Sequence, residues 1–86
     1  QPRAVVRMLE TLVSILGPDT ALPSVVPTTQ GGVQVEWHQN QVDFEIEVTG
    51  SGELGFYFKG PKEEIEGPVE GDPVSLTRFT RYLEVT

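Results

Sequence analysis

Three successive runs in the middle of the chain alternate between apolar and polar residues. Val33, Val35 and Trp37 alternate with Gln34, Glu36 and His38. Val42, Phe44, Ile46 and Val48 alternate with Asp43, Glu45 and Glu47. Leu54, Phe56 and Phe58 alternate with Gly55, Tyr57 and Lys59. A period of two sustained this way predicts a β-meander with one buried and one wet face. The turns specify its register. With Asn40-Gln41 at the tip of a two-residue hairpin, opposed residue numbers sum to 81: Trp37 meets Phe44, Val35 meets Ile46 and Val33 meets Val48. With Gly50-Ser51-Gly52 as a three-residue loop, opposed numbers sum to 102: Phe44 meets Phe58, Ile46 meets Phe56 and Val48 meets Leu54. A slip of one residue would set every apolar side chain against a polar one.

The flanks carry other periods. Over residues 4–16, Val5, Met8, Leu9, Leu12, Val13 and Leu16 recur at helical spacing and make one broad apolar face, with Val6 and Ile15 off it. Gly17-Pro18 stops this helix. Residues 18–32 are rich in Pro, Thr and Gly. Pro23 and Pro27 confine any strand there to an edge, around residues 24–28. Residues 60–71 read as a polar loop with three Gly and two Pro. Asp72-Pro73 reads as an N-cap followed by proline at the first helical position. Leu76, Phe79 and Leu83 then share one helical face, and Arg78 and Arg81 sit toward its far end. The expected fold is α+β: an N-terminal helix, a four-stranded antiparallel β-meander and a C-terminal helix. It forms one small domain over residues 1–86, whether alone or as a piece of a longer chain.

The same register lays the polar side chains in rows. His38, Asp43 and Lys59 form a self-compensating row. In the next, Glu36 and Glu45 oppose each other beside Tyr57, a like-charge pair that costs stability. Glu47 lies diagonally beside them and faces only Gly55. Three readings of this face compete. It is a solvated surface, as on any half-wet sheet. It is a docking face, on which Glu36, Glu45 and Glu47 receive a basic protein partner and Tyr57 is the aromatic anchor. Or Glu36, His38, Asp43 and Glu45 hold a divalent cation, in a binding protein or an enzyme. Against the cation stand an open flat face and the ordinary pairing of His38 with Asp43. No nucleophile elbow and no phosphate-cradling Gly loop before a helix is present, so an enzyme is not expected. Trp37 falls on the core face and reads as a packing anchor.

Charge narrows the partner. Of 86 residues, 13 are acidic and 6 basic, a net charge of -7. Such a field repels a phosphate backbone and an anionic bilayer, so no nucleic-acid or membrane partner is expected, and it attracts a basic protein. No cysteine is present, which removes disulfides and thiolate metal sites and fits a cytoplasmic setting. No apolar run approaches the ~20 residues that span a bilayer. The chain starts at Gln1 without Met or a basic-then-apolar leader, and so reads as a trimmed chain rather than a secreted precursor. No cofactor is expected.

The stretch Pro23 to Val48, "PSVVPTTQGGVQVEWHQNQVDFEIEV", resembles a pattern of small, mostly uncharacterised bacterial proteins. These run Pro-Ser-x-x-Pro-Thr-x-x-Gly-Gly-Val/Ile-Gln-Leu/Val-Glu-Trp-His, a short turn, then Asp/Glu-Leu/Phe-Glu-Ile-Glu. Asn40-Gln41 departs mildly, standing where Asn-Gly or Gly-Gly would be easier. The resemblance implies a bacterial origin, no established activity, and at most a partnership with a neighbouring toxin or effector. The leading expectation is therefore a non-enzymatic protein-interaction module, of the antitoxin, immunity or accessory-subunit kind. One alternative is a structural homodimer through the apolar N-terminal helix, with Val6 and Ile15 in the seam; the other is the cation-dependent protein.

Overall fold

A computed structural model describes residues 2–85. Helix α1 spans Pro2–Ile15; strands β1 (Ser24–Pro27), β2 (Val33–Gln39), β3 (Val42–Val48), β4 (Leu54–Lys59) and β5 (Glu64–Pro68) follow. A short 3-10 turn (Pro73–Leu76), a four-residue α2 (Thr77–Thr80) and a second 3-10 turn (Arg81–Leu83) end the chain. The α+β class agrees with the sequence reading, but the sheet has five antiparallel strands in sequential order rather than four.

The two central hairpins adopt the expected registers, pairing Trp37 with Phe44 and Phe44 with Phe58. Asn40 and Gln41 both take positive φ, 54° and 63°, the conformation a two-residue hairpin of right-handed twist demands. Gly52, at φ 93°, supplies the left-handed residue of the next loop. The fifth strand arises in the stretch read as a polar loop. Glu64, Ile65 and Glu66 alternate, and β4 would otherwise leave its outer backbone bare, so the chain folds back and pairs Phe58 with Ile65 and Tyr57 with Glu66. Pro68 is compatible because it falls at a position whose N–H is not needed by the ladder.

Both helical segments pack on the face bearing Val35, Trp37, Phe44, Ile46 and Phe58. Phe79 stacks among Phe44, Phe56 and Phe58 with ring centroids 5.4, 5.4 and 4.5 Å away. Asp72 caps the terminal segment as expected, its carboxylate accepting from Val74 N–H at 3.0 Å, and Leu76, Phe79 and Leu83 are buried. Glu84 is extended and bridges to Thr20 in the α1–β1 connection, where Ala21 N–H donates to Leu83 C=O at 2.8 Å.

The orientation of α1 differs from expectation. Its buried residues are Ala4, Met8, Thr11 and Ile15, while Val5, Leu9 and Val13, expected in the core, are exposed. The buried side includes the smaller residues Ala4 and Thr11, which allow close approach. Thr11 enters the core with its hydroxyl satisfied, donating to Arg7 C=O at 2.8 Å. Ile15, placed off the core face by the spacing, is 4% exposed and is therefore not available to an intermolecular seam.

Candidate docking face

The opposite face of the sheet carries no helix among the described residues. Register sets its rows: Ser24, Glu36, Glu45, Tyr57 and Glu66 lie side by side, flanked by His38, Asp43, Lys59 and Glu64 on one side. On the other side run Val26, Gln34, Glu47, Gly55 and Pro68. Glu36, Glu45, Glu47 and Tyr57 thus share one surface, as the alternation predicts. The fifth strand adds Glu64 and Glu66, which the loop reading missed; their alternation about Ile65 was the available signal.

The expected like-charge contact is partly relieved. His38 Nε2 lies 2.9 Å from Glu36 Oε1, and His38 Nδ1 lies 2.7 Å from Asp43 Oδ1. Gln34 Nε2 donates to Glu36 Oε2 at 2.6 Å and reaches Glu45 Oε1 at 3.4 Å. Glu36 is therefore a compensated carboxylate, a correction to its reading as one of an uncompensated like-charge pair: side chains two apart on one strand share a face and are neighbours along it. The hydrogen bond from His38, then that from Gln34, holds its carboxyl below the usual carboxylate value. Glu45 is left without an ion-pair partner among the described residues; partial burial, then the Glu36 charge, pushes its carboxyl up. Tyr57 donates its hydroxyl to Glu64 Oε2 at 2.6 Å, a bond that raises the phenol to about 12, so it stays a neutral donor at any ordinary pH.

The bridge makes stability depend on pH with a definite sign. Glu36 and then Asp43 raise the His38 imidazole above its ordinary 6.5. Its contribution is therefore full below 6.5 and lost as pH rises through the raised value. Glu36, lowered from 4.5, contributes fully above 4.5 and loses that contribution as pH falls through its lowered value. The bridge is strongest between these limits, and Glu45, raised, also favours the acidic end. Denaturant unfolding is expected to give higher stability near pH 5.5 than at pH 8 by under about 1 kcal/mol, because the imidazole is half exposed and screened by water. His38→Gln is expected to remove most of that difference; an unchanged profile would refute the assignment.

Beside the bridge lies a shallow open hollow of about 350 Å³, whose lining includes Glu45, Glu47, Gly55, Phe56, Tyr57 and Glu66. It exists because Gly55 puts no side chain into its row. Its rim is acidic and one wall is the Tyr57 ring, a shape and charge suited to a Lys or Arg side chain.

The cation reading finds three of its four residues close together: ligand atoms of Glu36, His38 and Glu45 lie within 4.8 Å of one another. Both His38 nitrogens already face carboxylates, and those carboxylates favour the protonated ring. The imidazolium thus supplies the positive charge that a metal would bring, and a metal would first have to displace its proton. No described helix is long and apolar enough to cross a membrane. Comparison of the chain with protein-family models, with curated proteins and with solved structures gives no match.

Proposed function

We propose that the chain is a non-enzymatic protein-interaction module that docks a basic partner on the open acidic face of its sheet. The observation that carries this reading is the hollow at Gly55, lined by Glu45, Glu47, Glu66 and Tyr57 on a face left uncovered by both helical segments. Glu45 and Glu47 supply charge, Tyr57 supplies the flat aromatic contact, and Glu36 acts through its fixed bridge to His38. The bacterial origin and the antitoxin, immunity or accessory role rest on the resemblance of Pro23 to Val48 alone.

The test is capture of a basic protein from the native lysate, followed by titration of the purified pair. The triple change Glu36→Gln, Glu45→Gln and Glu47→Gln is expected to weaken binding roughly ten- to hundred-fold, since each charge is partly screened by water. Wild-type affinity should also fall as added salt shortens the screening length. Intact capture by the triple variant would sink the proposal.

A second reading draws on α1. Val6, Leu9 and Val13 are 54, 57 and 83% exposed and lie on one side of the helix, away from its buried face. This is the stripe that would carry a homodimer, without Ile15. Sedimentation over a range of concentrations checks it: self-association abolished by Leu9→Glu supports the stripe, and a monomer throughout removes it.

A further inference from the structure

The two edges of the sheet differ in what they offer to another chain. Gly60 N–H donates to Glu63 C=O at 2.8 Å and Val69 N–H donates to Leu54 C=O at 2.8 Å. These bonds fix the phase of the β4–β5 ladder, because hydrogen-bonded and non-bonded pairs alternate in an antiparallel pair. Ile65 and Gly67 therefore bond to β4, while the backbone groups of Glu64, Glu66 and Pro68 point outward. Two N–H and three C=O groups stand free along β5 in this pattern, and Glu64, Ile65, Glu66 and Pro68 are all exposed. At β1 the bond from Thr28 N–H to Gly32 C=O sets the opposite result. There the outward positions are Pro23, Val25 and Pro27, so prolines on either side leave one outward N–H, a well-blunted edge.

We propose that an extended segment of a basic partner adds to β5 as a sixth strand. The inference rests on the docking reading for the partner's charge and goes beyond it by assigning the mode of recognition. Strand addition supplies affinity through main-chain bonds and specificity through alternate side chains. Residues directly opposed across a strand pair share a face, so those bonded to Glu64 and Glu66 would stand over the acidic face and are basic. Those between them would lie beside Ile65, 39% exposed, and are apolar. Charge excludes the obvious competitor. Two copies of β5 would bring acidic edges together, and like charges opposed across strands are destabilising.

The probe is an acetylated and amidated Lys-Val-Lys-Val-Lys peptide, titrated into the ¹⁵N-labelled protein. Addition of the strand is expected to slow hydrogen exchange at the Glu64 and Glu66 amides specifically. N-methylation of the lysine backbone nitrogens, which would bond to β5, is expected to weaken binding at least ten-fold. N-methylation of the valine nitrogens, which point away, should leave it within two-fold. Binding that perturbs Glu45, Glu47 and Tyr57 but leaves the two edge amides unprotected, and is indifferent to lysine methylation, would overturn strand addition while sparing the docking face. An unbound peptide at all concentrations would overturn both. Protection of the edge amides by the protein's own concentration, without peptide, would replace the proposal with edge pairing between copies.

Discussion

Trp37→Ala is expected to destabilise the domain by about 3–5 kcal/mol, the cost of truncating a large buried aromatic. Trp37 is 2% exposed and stacks on Phe44 with centroids 5.4 Å apart and planes at 21°. It also does more than fill space. Its indole Nε1 donates to Ala21 C=O at 2.8 Å and ties the irregular segment after α1 to the sheet. Truncation leaves that part-buried carbonyl without its partner as well as opening a cavity. A domain of 86 residues has roughly 4–13 kcal/mol of stability in all, so the loss removes from about a quarter to the whole of it. The chain has one tryptophan, so the change removes the fluorescence probe and unfolding must be followed by circular dichroism in urea. Trp37→Phe separates the contributions: it keeps a ring against Phe44 and loses the bond to Ala21, and should cost about 1–3 kcal/mol. A loss below 1 kcal/mol for the alanine variant would show that the core does not close around this ring.

Gly32→Ala is the second large effect, expected at about 2–3 kcal/mol from one added methyl group. A Cβ there would collide with the Val48 carbonyl oxygen and press on Thr28 Oγ1 at 3.0 Å and Thr49 Cα at 3.1 Å. Two of these three neighbours are backbone and cannot turn aside. Gly32 also closes the β1–β2 hairpin, donating to Thr28 Oγ1 at 2.9 Å and accepting from Thr28 N–H at 3.1 Å. The collision therefore shifts the point where β1 joins the sheet. Gly67→Ala is the matched control, because its Cβ would meet nothing within 4 Å, and it should fall within about 0.5 kcal/mol of wild type. Equal urea midpoints for the two variants would contradict this account. The pair of Gly31 and Gly32 reads from sequence simply as a turn. Gly31 does take a positive φ of 82°, but the need at Gly32 is closeness to β3, which no local pattern reveals.

Local pattern was sufficient where one answer satisfied every neighbour. In the central meander, apolar side chains meet apolar ones only in the observed register, so alternation and turn length together specified which residues share the acidic face. The cap at Asp72 and the buried Leu76, Phe79 and Leu83 were equally legible, since they depend on residues close in sequence. Pattern was insufficient where two answers were locally equal. Helix α1 is apolar on two sides; of the face its spacing favours, Met8, Leu12 and Leu16 reach the core while Val5, Leu9 and Val13 end up in solvent. Close approach through Ala4 and Thr11 selected this orientation. The segment Glu64–Pro68 has one large apolar residue and reads as a loop by itself; the bare edge of β4, whose residues pair with it from as far back as Gly55, opposite Pro68, makes it a strand. Glu36 loses its unbalanced charge because His38, two residues on along the same strand, turns its imidazole to it, with Gln34 adding a hydrogen bond from the other side. The sequence by itself thus determined the sheet's register and the composition of its wet face, because both follow from period-two alternation and turn length. Tertiary structure alone decided that both helical segments gather on one side, that a fifth strand extends the acidic surface, and that its edge stays open. Those outcomes depend on packing and pairing between segments distant in the chain.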